Sequence, residues 1–145
     1  LPLIEREIPE IVFYIVGIHP DIVVKRLAKD NKIIVTGFVE DVTEYMRECA
    51  IFVAPMCSGA GVQNKILQAM SLGGCVVTTT IGQEGLDIAQ GELIVADEPC
   101  EMAKQIVLLL RNPKHRMKIG EKAIQYIKQN LSEEVIFSQL KSFVQ

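Results

Sequence analysis

A cluster of small residues between an apolar run and a helical segment is the first feature suited to chemistry. The apolar run at residues 50–54 leads into PMCSGAG at 55–61, where helical periodicity begins. Gly59 and Gly61 permit a tight turn and let a ligand approach the backbone. The unpaired N–H groups and the positive dipole end of a helix favour an anion. This segment therefore predicts a site for phosphate or diphosphate.

The helix predicted over residues 62–72 has a polar side next to that loop. Asn64, Lys65 and Gln68 gather there, whereas Ile66 and Met70 fall on an apolar stripe. Lys65 lies about one turn inside the helix, so its ammonium group can reach back toward an anion. Such a charged hydrogen bond contributes about 1.5–3 kcal/mol.

A simpler interpretation of the same residues stays open. Residues 58–61 also fit a plain strand-to-helix turn in which Ser58 caps the helix and Lys65 is solvated. The loop is neither a GxGxxG motif nor a Walker loop, so a nicotinamide site and a nucleotide triphosphatase gain no direct support. Residue types and spacing alone lead as far as anion binding.

Five apolar runs define the elements that must position this loop. Each is continuous and rich in β-branched residues, and nearly every one precedes a segment of helical periodicity. This alternation predicts a mainly parallel sheet flanked by helices, with ligands bound beyond the carboxyl ends of the strands. The predicted strands are 11–16, 33–36, 50–54, 75–79 and 92–95. Helices are predicted over 21–30, after Asp41, after Pro99, from Pro113, and from Ser132 with Val135, Ile136, Leu140 and Phe143 on its apolar side.

Length and composition fit a single domain spanning residues 1–145. Hydrophobic residues make up 49% of the 145 and charged residues 23%, enough for a core and unlike a disordered chain. A net charge of -3 argues against nucleic acid as a partner. Because no apolar run of 18 residues and no secretory signal occurs, we expect neither a membrane span nor export.

Cysteine and histidine residues show no pattern of a metal or catalytic centre. The four cysteines, which include Cys57 beside the glycine loop, form no CxxC pair, and we expect most of them to be small buried side chains in a reduced, cytoplasmic chain. His19 is predicted to be a loop residue and His115 a solvated helix residue. Neither is expected to be catalytic, and no metal site is predicted.

Residues 58–79, SGAGVQNKILQAMSLGGCVVTT, resemble the donor-site signature of the GT-B glycosyltransferases of family 4, the glycosyl transferases group 1. Landmarks in the same order extend the likeness to essentially the whole chain: Gly17 with Pro20, Gly37-Phe38-Val39, Tyr45-Met46, Gly82 with Glu84-Gly85-Leu86, and Glu92-Leu93. The resemblance implies an α/β fold, namely the Rossmann-like C-terminal domain of a GT-B enzyme.

The resemblance also implies a function. The chain would be the donor-binding half of a cytoplasmic retaining glycosyltransferase, of hexosyltransferase type, which needs no metal or other cofactor and serves polysaccharide biosynthesis. An N-terminal domain of the same protein would bind the acceptor, so the 145 residues alone are expected not to transfer sugar. Peripheral association with a membrane stays open through the acceptor or that domain.

Binding roles transfer by position. The resemblance implies that Lys65 neutralises the diphosphate, that Val39 contacts the base, that Gln68 bonds the ribose hydroxyls and that Asn64 belongs to the same site. The backbone that would hold the diphosphate is Ser58, Gly59, Ala60 and Gly61, and the loop beside the donor is Glu84, Gly85 and Leu86. None of these residues is assigned a catalytic role.

Two departures from the family pattern matter. Many members carry two glutamates separated by seven residues, where this chain has Ala60 and Gln68. A neutral acceptor in place of a carboxylate loses about 1 kcal/mol per hydrogen bond, which predicts weaker donor binding. The alternative is a non-catalytic nucleotide-binding or interaction module with the same fold.

The second departure concerns the sheet. The family's donor domain starts one strand earlier, and that strand lies in the middle of the sheet. The resemblance therefore leads us to expect that this first strand is missing from the 145 residues and that strands 11–16 and 50–54 have no shared neighbour. Either residues before Leu1 complete the sheet or something else fills the place.

Overall fold

The computed structural model describes residues 1–88 and 91–131, in which short strands alternate with helices as predicted. The strands are β1 (Phe13–Val16), β2 (Ile33–Gly37), β3 (Phe52–Ala54), β4 (Val76–Thr78) and β5 (Ile94–Val95). The helices are α1 (Pro2–Glu5), α2 (Ile22–Leu27), α3 (Val42–Glu48), α4 (Asn64–Ser71), α5 (Thr80–Gln83), α6 (Pro99–Arg111) and α7 (Pro113–Asn130). The helix predicted from Ser132 lies outside the described residues.

Every strand pair in the described part of the chain is parallel, and the strands form two groups. β1 pairs with β2, and β4 lies between β3 and β5. β1 and β3 do not pair with each other. Within residues 1–88 and 91–131, β1 and β3 therefore have no shared neighbour, as predicted.

The hydrophobic core lies on both faces of the three-stranded group. Along β4, Val76 packs with buried residues of α4 and α7, whereas Val77 packs with those of α1 and α6. Both valines are completely buried, which is the environment predicted for a continuous apolar strand of a parallel sheet.

The two-stranded group is less buried than predicted. Tyr14 in β1 is 50% exposed and Ile34 in β2 is 39% exposed. Neighbouring helix α2 buries none of its residues, although Ile22 and Val23 fall on one side of it. The prediction that these strands are covered on both faces is therefore wrong for the described residues. Helix α2, which should cover one face, packs too loosely to bury β1 and β2.

The cysteines also differ from the expectation. Only Cys75 is buried, and burial raises the pKa of its thiol to about 11. Cys49, Cys57 and Cys100 are exposed. Of these, Cys49 and Cys57 follow α3 and β3, where the chain turns at the surface.

Helix starts largely follow the sequence signals. Asp41 caps α3 by accepting a hydrogen bond from the Thr43 backbone N–H at 2.7 Å, and Asn112 caps α7 through His115 at 3.0 Å. Pro99 and Pro113 occupy the first helical positions of α6 and α7. Among the described helices, none has the length and apolar character needed to span a membrane.

Two glycines allow α7 to approach the end of α4. A Cβ atom on Gly120 of α7 would lie 2.1 Å from the backbone oxygen of Gly73. Since this neighbour is backbone, it cannot swing aside as a flexible side chain would. The contact explains why an otherwise helix-favouring segment contains glycine at position 120.

We expect Gly120→Ala to lower the free energy of unfolding by about 1–3 kcal/mol, because the added methyl group overpacks the contact between α7 and Gly73. Urea denaturation followed by circular dichroism measures this. Gly17→Ala is the matched control, since a Cβ there has nothing within 4 Å and the change should stay within about 0.5 kcal/mol. Equal stability of both variants would contradict the packing interpretation.

Candidate functional site

The loops that follow β2, β3 and β4 lie at one edge of the fold. Parallel pairing directs the carboxyl ends of β3 and β4 to the same side, and residues after β2 and after β3 line one groove. Loops at the carboxyl ends of strands are the usual ligand-binding region of such sheets. The residues predicted for the site are in these three loops and in the first turns of α4. The fold therefore places them at one common edge.

Helix α4 begins later than predicted. Its first residue is Asn64 rather than residue 62, and its N-cap is Gln63. Gly59 and Gly61 adopt φ of 151° and 70°, which keeps the loop out of the helical conformation. Ser58 is thus not the cap, and no side chain caps the first turn. The first N–H groups of α4 are left for solvent or a ligand to satisfy.

Gln63 is a component of the loop that sequence reasoning missed. Its Nε2 atom donates to the backbone oxygen of Gly61 at 3.1 Å. The same atom lies 3.0 Å from the place of a Cβ on Gly59, so the side chain folds back over both glycines. A polar residue just before a helix is only a weak sequence signal for a loop contact, because the direction of its side chain depends on the conformation of the preceding loop.

The two sides of α4 are arranged as predicted. Ile66 and Met70 are buried in the core, whereas Asn64 and Lys65 are exposed. The Lys65 ammonium group donates to Oε1 of the half-buried Gln68 at 3.4 Å. Both residues therefore lie on one side of the helix, within its first turns.

The loop after β4 is tied to the loop after β3. The Thr79 hydroxyl donates to the backbone oxygen of Met56 at 2.7 Å and accepts from the Gly82 N–H at 3.2 Å. Through this hydroxyl, Thr79 caps α5, a short helix that the apolar patterning did not reveal. The one sequence signal for α5 was Thr79 as a possible N-cap residue, three positions before Gly82.

Gly85 also lets these two loops approach each other closely. A Cβ on Gly85 would lie 2.8 Å from Cγ2 of Val62 and 3.6 Å from the carbonyl carbon of Gly61. Its φ of 79° also favours glycine. Glu84 is exposed beside this contact. The predicted donor loop therefore adjoins the glycine loop.

Leu86 is an exception among the predicted residues of this loop. Its side chain is 8% exposed and packs in the hydrophobic core, and its backbone N–H donates to the Gln83 oxygen at 3.0 Å. Leu86 therefore anchors the loop from beneath through its apolar side chain, and its contribution to binding stays a prediction.

Val39 and Lys65 line one groove that opens between β1 and β3. The groove has a volume of about 1000 Å³ and is also lined by Gly17, Phe38 and Pro55. Phe38 is 74% exposed, which makes it an apolar ring available at the edge beside Val39. Sequence reasoning singled out Val39 alone.

The two histidines lie apart from the candidate site in the sequence and in the described part of the fold. His19 is exposed in the loop after β1, with φ of 51°, and His115 lies in the first turn of α7. Within residues 1–88 and 91–131, no group of three His, Cys, Asp or Glu side chains is placed to hold a metal ion.

The family model for glycosyl transferases group 1 matches residues 1–112. The chain belongs to the glycosyl transferases group 1 family. It is also 30% identical over 149 aligned residues to an uncharacterized 44.6 kDa protein in the cps region of Klebsiella pneumoniae. That alignment covers 96% of this chain and 38% of the relative, so the chain spans about two fifths of the length of the relative.

Solved structures show the same fold. HepE from Anabaena, crystallised in complex with UDP, superimposes with a TM-score of 0.78 at 18% identity and covers 99% of this chain and 44% of HepE. TarM superimposes with a TM-score of 0.77 at 19% identity, over 97% of this chain and 30% of TarM. The group 1 domain is therefore a Rossmann-like α/β domain of the GT-B type, as expected.

Asp97, which follows the neighbouring strand β5, holds the loop after β4 in this group 1 domain. Its carboxylate accepts hydrogen bonds from the Thr80 backbone N–H and hydroxyl, both at 2.7 Å. The backbone bond, followed by the hydroxyl bond, keeps the pKa of Asp97 below its ordinary value of 3.8. Because the carboxylate binds the start of α5, it helps to position the adjoining Glu84–Gly85 turn.

We expect Asp97→Asn to lower stability at neutral pH and to have less effect in acid. The folded pKa is depressed, so the stabilisation is present above pH 3.8 and is lost as the pH falls through the folded pKa. Urea denaturation of both proteins between pH 7 and acid measures the difference. Glu98→Gln is the control, because Glu98 makes no cap hydrogen bond to α6. A pH-independent difference for Asp97→Asn would contradict this role.

Proposed function

We propose that this chain is the donor-binding half of a glycosyltransferase that moves a glycosyl group from a nucleoside-diphosphate sugar to an acceptor. The observation that carries the proposal is the uncapped first turn of α4 beside the Gly59–Gly61 loop, with Lys65 exposed on it. Three features attract a diphosphate there: free N–H groups, the positive helix end and one ammonium group.

The positive charge at the start of α4 would stabilise a negatively charged leaving group, the nucleoside diphosphate. As the bond between sugar and phosphate breaks, negative charge grows on the nucleoside diphosphate. Donors that are already positioned stabilise that charge more than they stabilise the bound substrate, and so lower the barrier. Lys65 and the backbone of residues 58–61 would supply these donors, with Asn64 at the helix start.

The remaining predicted residues would hold the nucleoside and the sugar. Val39 and the exposed ring of Phe38 offer an apolar surface to the base, in the groove that Lys65 also lines. Gln68 lies one turn beyond Asn64 and would accept from the ribose hydroxyls. Glu84 and Gly85 would lie beside the donor, on the other side of the glycine loop.

Membership of the family supports transfer from a nucleotide sugar, and the structures of HepE with UDP and with UDP-glucose are consistent with it. Retained anomeric configuration, independence from metal, an acceptor-binding domain elsewhere in the protein and a role in polysaccharide biosynthesis are parts of the proposal. The relative in the cps region is consistent with the last of these.

The absence of the two family glutamates favours a second candidate function, that of a non-catalytic binding module. Ala60 and Gln68 occupy the positions of the two family glutamates, and Oε1 of Gln68 already accepts from Lys65. A non-catalytic module that binds a nucleotide or a protein partner has no need of either carboxylate. Nucleotide binding followed by a transfer assay on the full-length protein separates the two candidates.

We expect the chain to bind UDP and Lys65→Ala to weaken that binding by about tenfold to a hundredfold. Loss of a charged hydrogen bond of about 1.5–3 kcal/mol accounts for this range. Isothermal titration calorimetry gives both dissociation constants. Lys29→Ala is the matched control. Lys29 is also exposed, but it lies between α2 and the amino end of β2, whereas the candidate site lies at the carboxyl ends of the strands. No saturable binding at millimolar UDP would favour the interaction module.

We also expect Gln68→Met to weaken UDP about fivefold and to leave inorganic pyrophosphate almost unaffected. Methionine keeps the length of the side chain but removes the amide that would meet the ribose, at a loss of about 1 kcal/mol. Competition titrations with the two ligands measure the contrast. An equal loss for both ligands would place Gln68 at the phosphates instead.

A further inference from the structure

Gln63 is a half-buried polar residue in a segment that is otherwise exposed. Residues 57–62 and 64–65 on either side of it are exposed, whereas its own side chain turns back over the loop. The Nε2 atom of Gln63 donates to the Gly61 carbonyl oxygen at 3.1 Å. Its backbone oxygen accepts from the Ile66 N–H at 3.0 Å. Gln63 therefore ties the glycine loop to the first turn of α4.

The bond to Gly61 also fixes the direction of the next backbone N–H. A trans peptide group is planar, so its C=O and N–H bonds point in opposite directions. No cis peptide bond occurs among the described residues. Because Gln63 holds the Gly61 oxygen on its own side, the Val62 N–H, which belongs to the same peptide group, points to the other side. Within the described part of the chain, that N–H has no hydrogen-bond acceptor.

Glycine residues leave room on both sides of this peptide group. A Cβ atom on Gly59 would lie 3.0 Å from Nε2 of Gln63, so a side chain there would press on the amide. A Cβ atom on Gly85 would lie 3.3 Å from the Val62 nitrogen, closer than ordinary van der Waals contact. The two glycines thus leave the amide in place and the Val62 nitrogen uncovered.

We propose that Gln63 is a positioning residue of the donor site, whose amide holds the Gly61 carbonyl and thereby aims the Val62 N–H at the diphosphate. This inference rests on the proposed function, because it assigns Gln63 a role toward the same ligand. Without the amide, the peptide group after Gly61 can rotate, since glycine restricts its own backbone little. A carbonyl oxygen turned toward the ligand repels an anion that the N–H would attract.

We expect Gln63→Met to weaken the binding of UDP and of inorganic pyrophosphate by the same factor, about threefold to tenfold. Methionine keeps the length of the side chain but cannot donate, so one neutral hydrogen bond is lost beside the phosphates. Isothermal titration calorimetry with each ligand measures both factors. The equal loss distinguishes Gln63 from Gln68, whose substitution is expected to affect UDP alone.

Gln105→Met is the matched control for this variant. The Nε2 atom of Gln105 also donates a hydrogen bond, to Oε1 of Glu101 at 2.8 Å, but on α6, which packs against α1 and α7. Its substitution should leave both dissociation constants unchanged. Gln63→Met should unfold at the same urea concentration as the wild-type chain, because the lost bond lies in a surface loop.

A pH profile separates positioning from a purely structural role. Gln63→Glu keeps the shape of the side chain, but a carboxylate has no proton to donate to the Gly61 oxygen. At about pH 7.5 this variant should bind pyrophosphate more weakly than the wild-type chain by about tenfold or more. The ratio of the two dissociation constants should fall at about pH 4.5, where the introduced carboxyl group gains a proton. The ratio for Gln63→Met should not change with pH.

The titratable groups that the two loops and the start of α4 share with the wild-type chain cancel in these ratios. They are Cys57, Lys65, Glu84 and, through its bonds to Thr80, Asp97.

The outcomes separate this inference from the proposed function. If the wild-type chain binds both ligands and Gln63→Met binds them equally well, the role of Gln63 is overturned and the proposed function stands. A ratio for Gln63→Glu that does not change with pH, or weaker binding that accompanies an earlier unfolding transition, would also overturn the role. A wild-type chain that binds neither ligand would overturn the proposed function and this role with it.

Discussion

The site depends on the shared hydroxyl of Thr79, which joins the loops that follow two neighbouring strands. It donates to Met56 in one loop and accepts from Gly82 in the other. Since the hydroxyl has one proton, both bonds are satisfied only when the loops hold this separation. Gly82 permits the approach, because a Cβ there would overlap Thr78 Oγ1 and crowd Ile66 of α4. The position of the glycine loop is thus set by buried contacts below it.

Helix α4 has one side that is buried in the core and one polar side that is exposed. Ile66 and Met70 are embedded in the core, so the helix cannot rotate without exposing them. That constraint keeps Lys65 at the edge without any hydrogen bond to the glycine loop. The ammonium group rests on Gln68 at 3.4 Å, a long contact between exposed groups that an anion could displace at little cost.

Sequence patterns predicted the five strands, most helix starts and the polar side of α4, because each follows from local propensity and apolar periodicity. They missed the two-residue delay in the start of α4, from residue 62 to Asn64, since the positive-φ conformations of two glycines are decided by the loop as a whole. They also misplaced three of the four cysteines, which are exposed rather than buried. Burial of a single residue in a turn depends on which element lies beneath it, and no local pattern encodes that.

The groove and the site are physically connected. Lys65 and Val39 line the same groove as the edges of β1 and β3, which have no strand partner on that side among the described residues, so the spacing of these two strands also sets the spacing of the two loops. The β1–β2 pair is attached to the rest of the described chain by α3, whose Met46 packs in the core, and by Lys32, which forms an ion pair with Glu5 at 2.7 Å. Under the proposed function, the base and the diphosphate of one ligand would reach both loops at once, so the spacing of β1 and β3 would matter for binding as well as for stability.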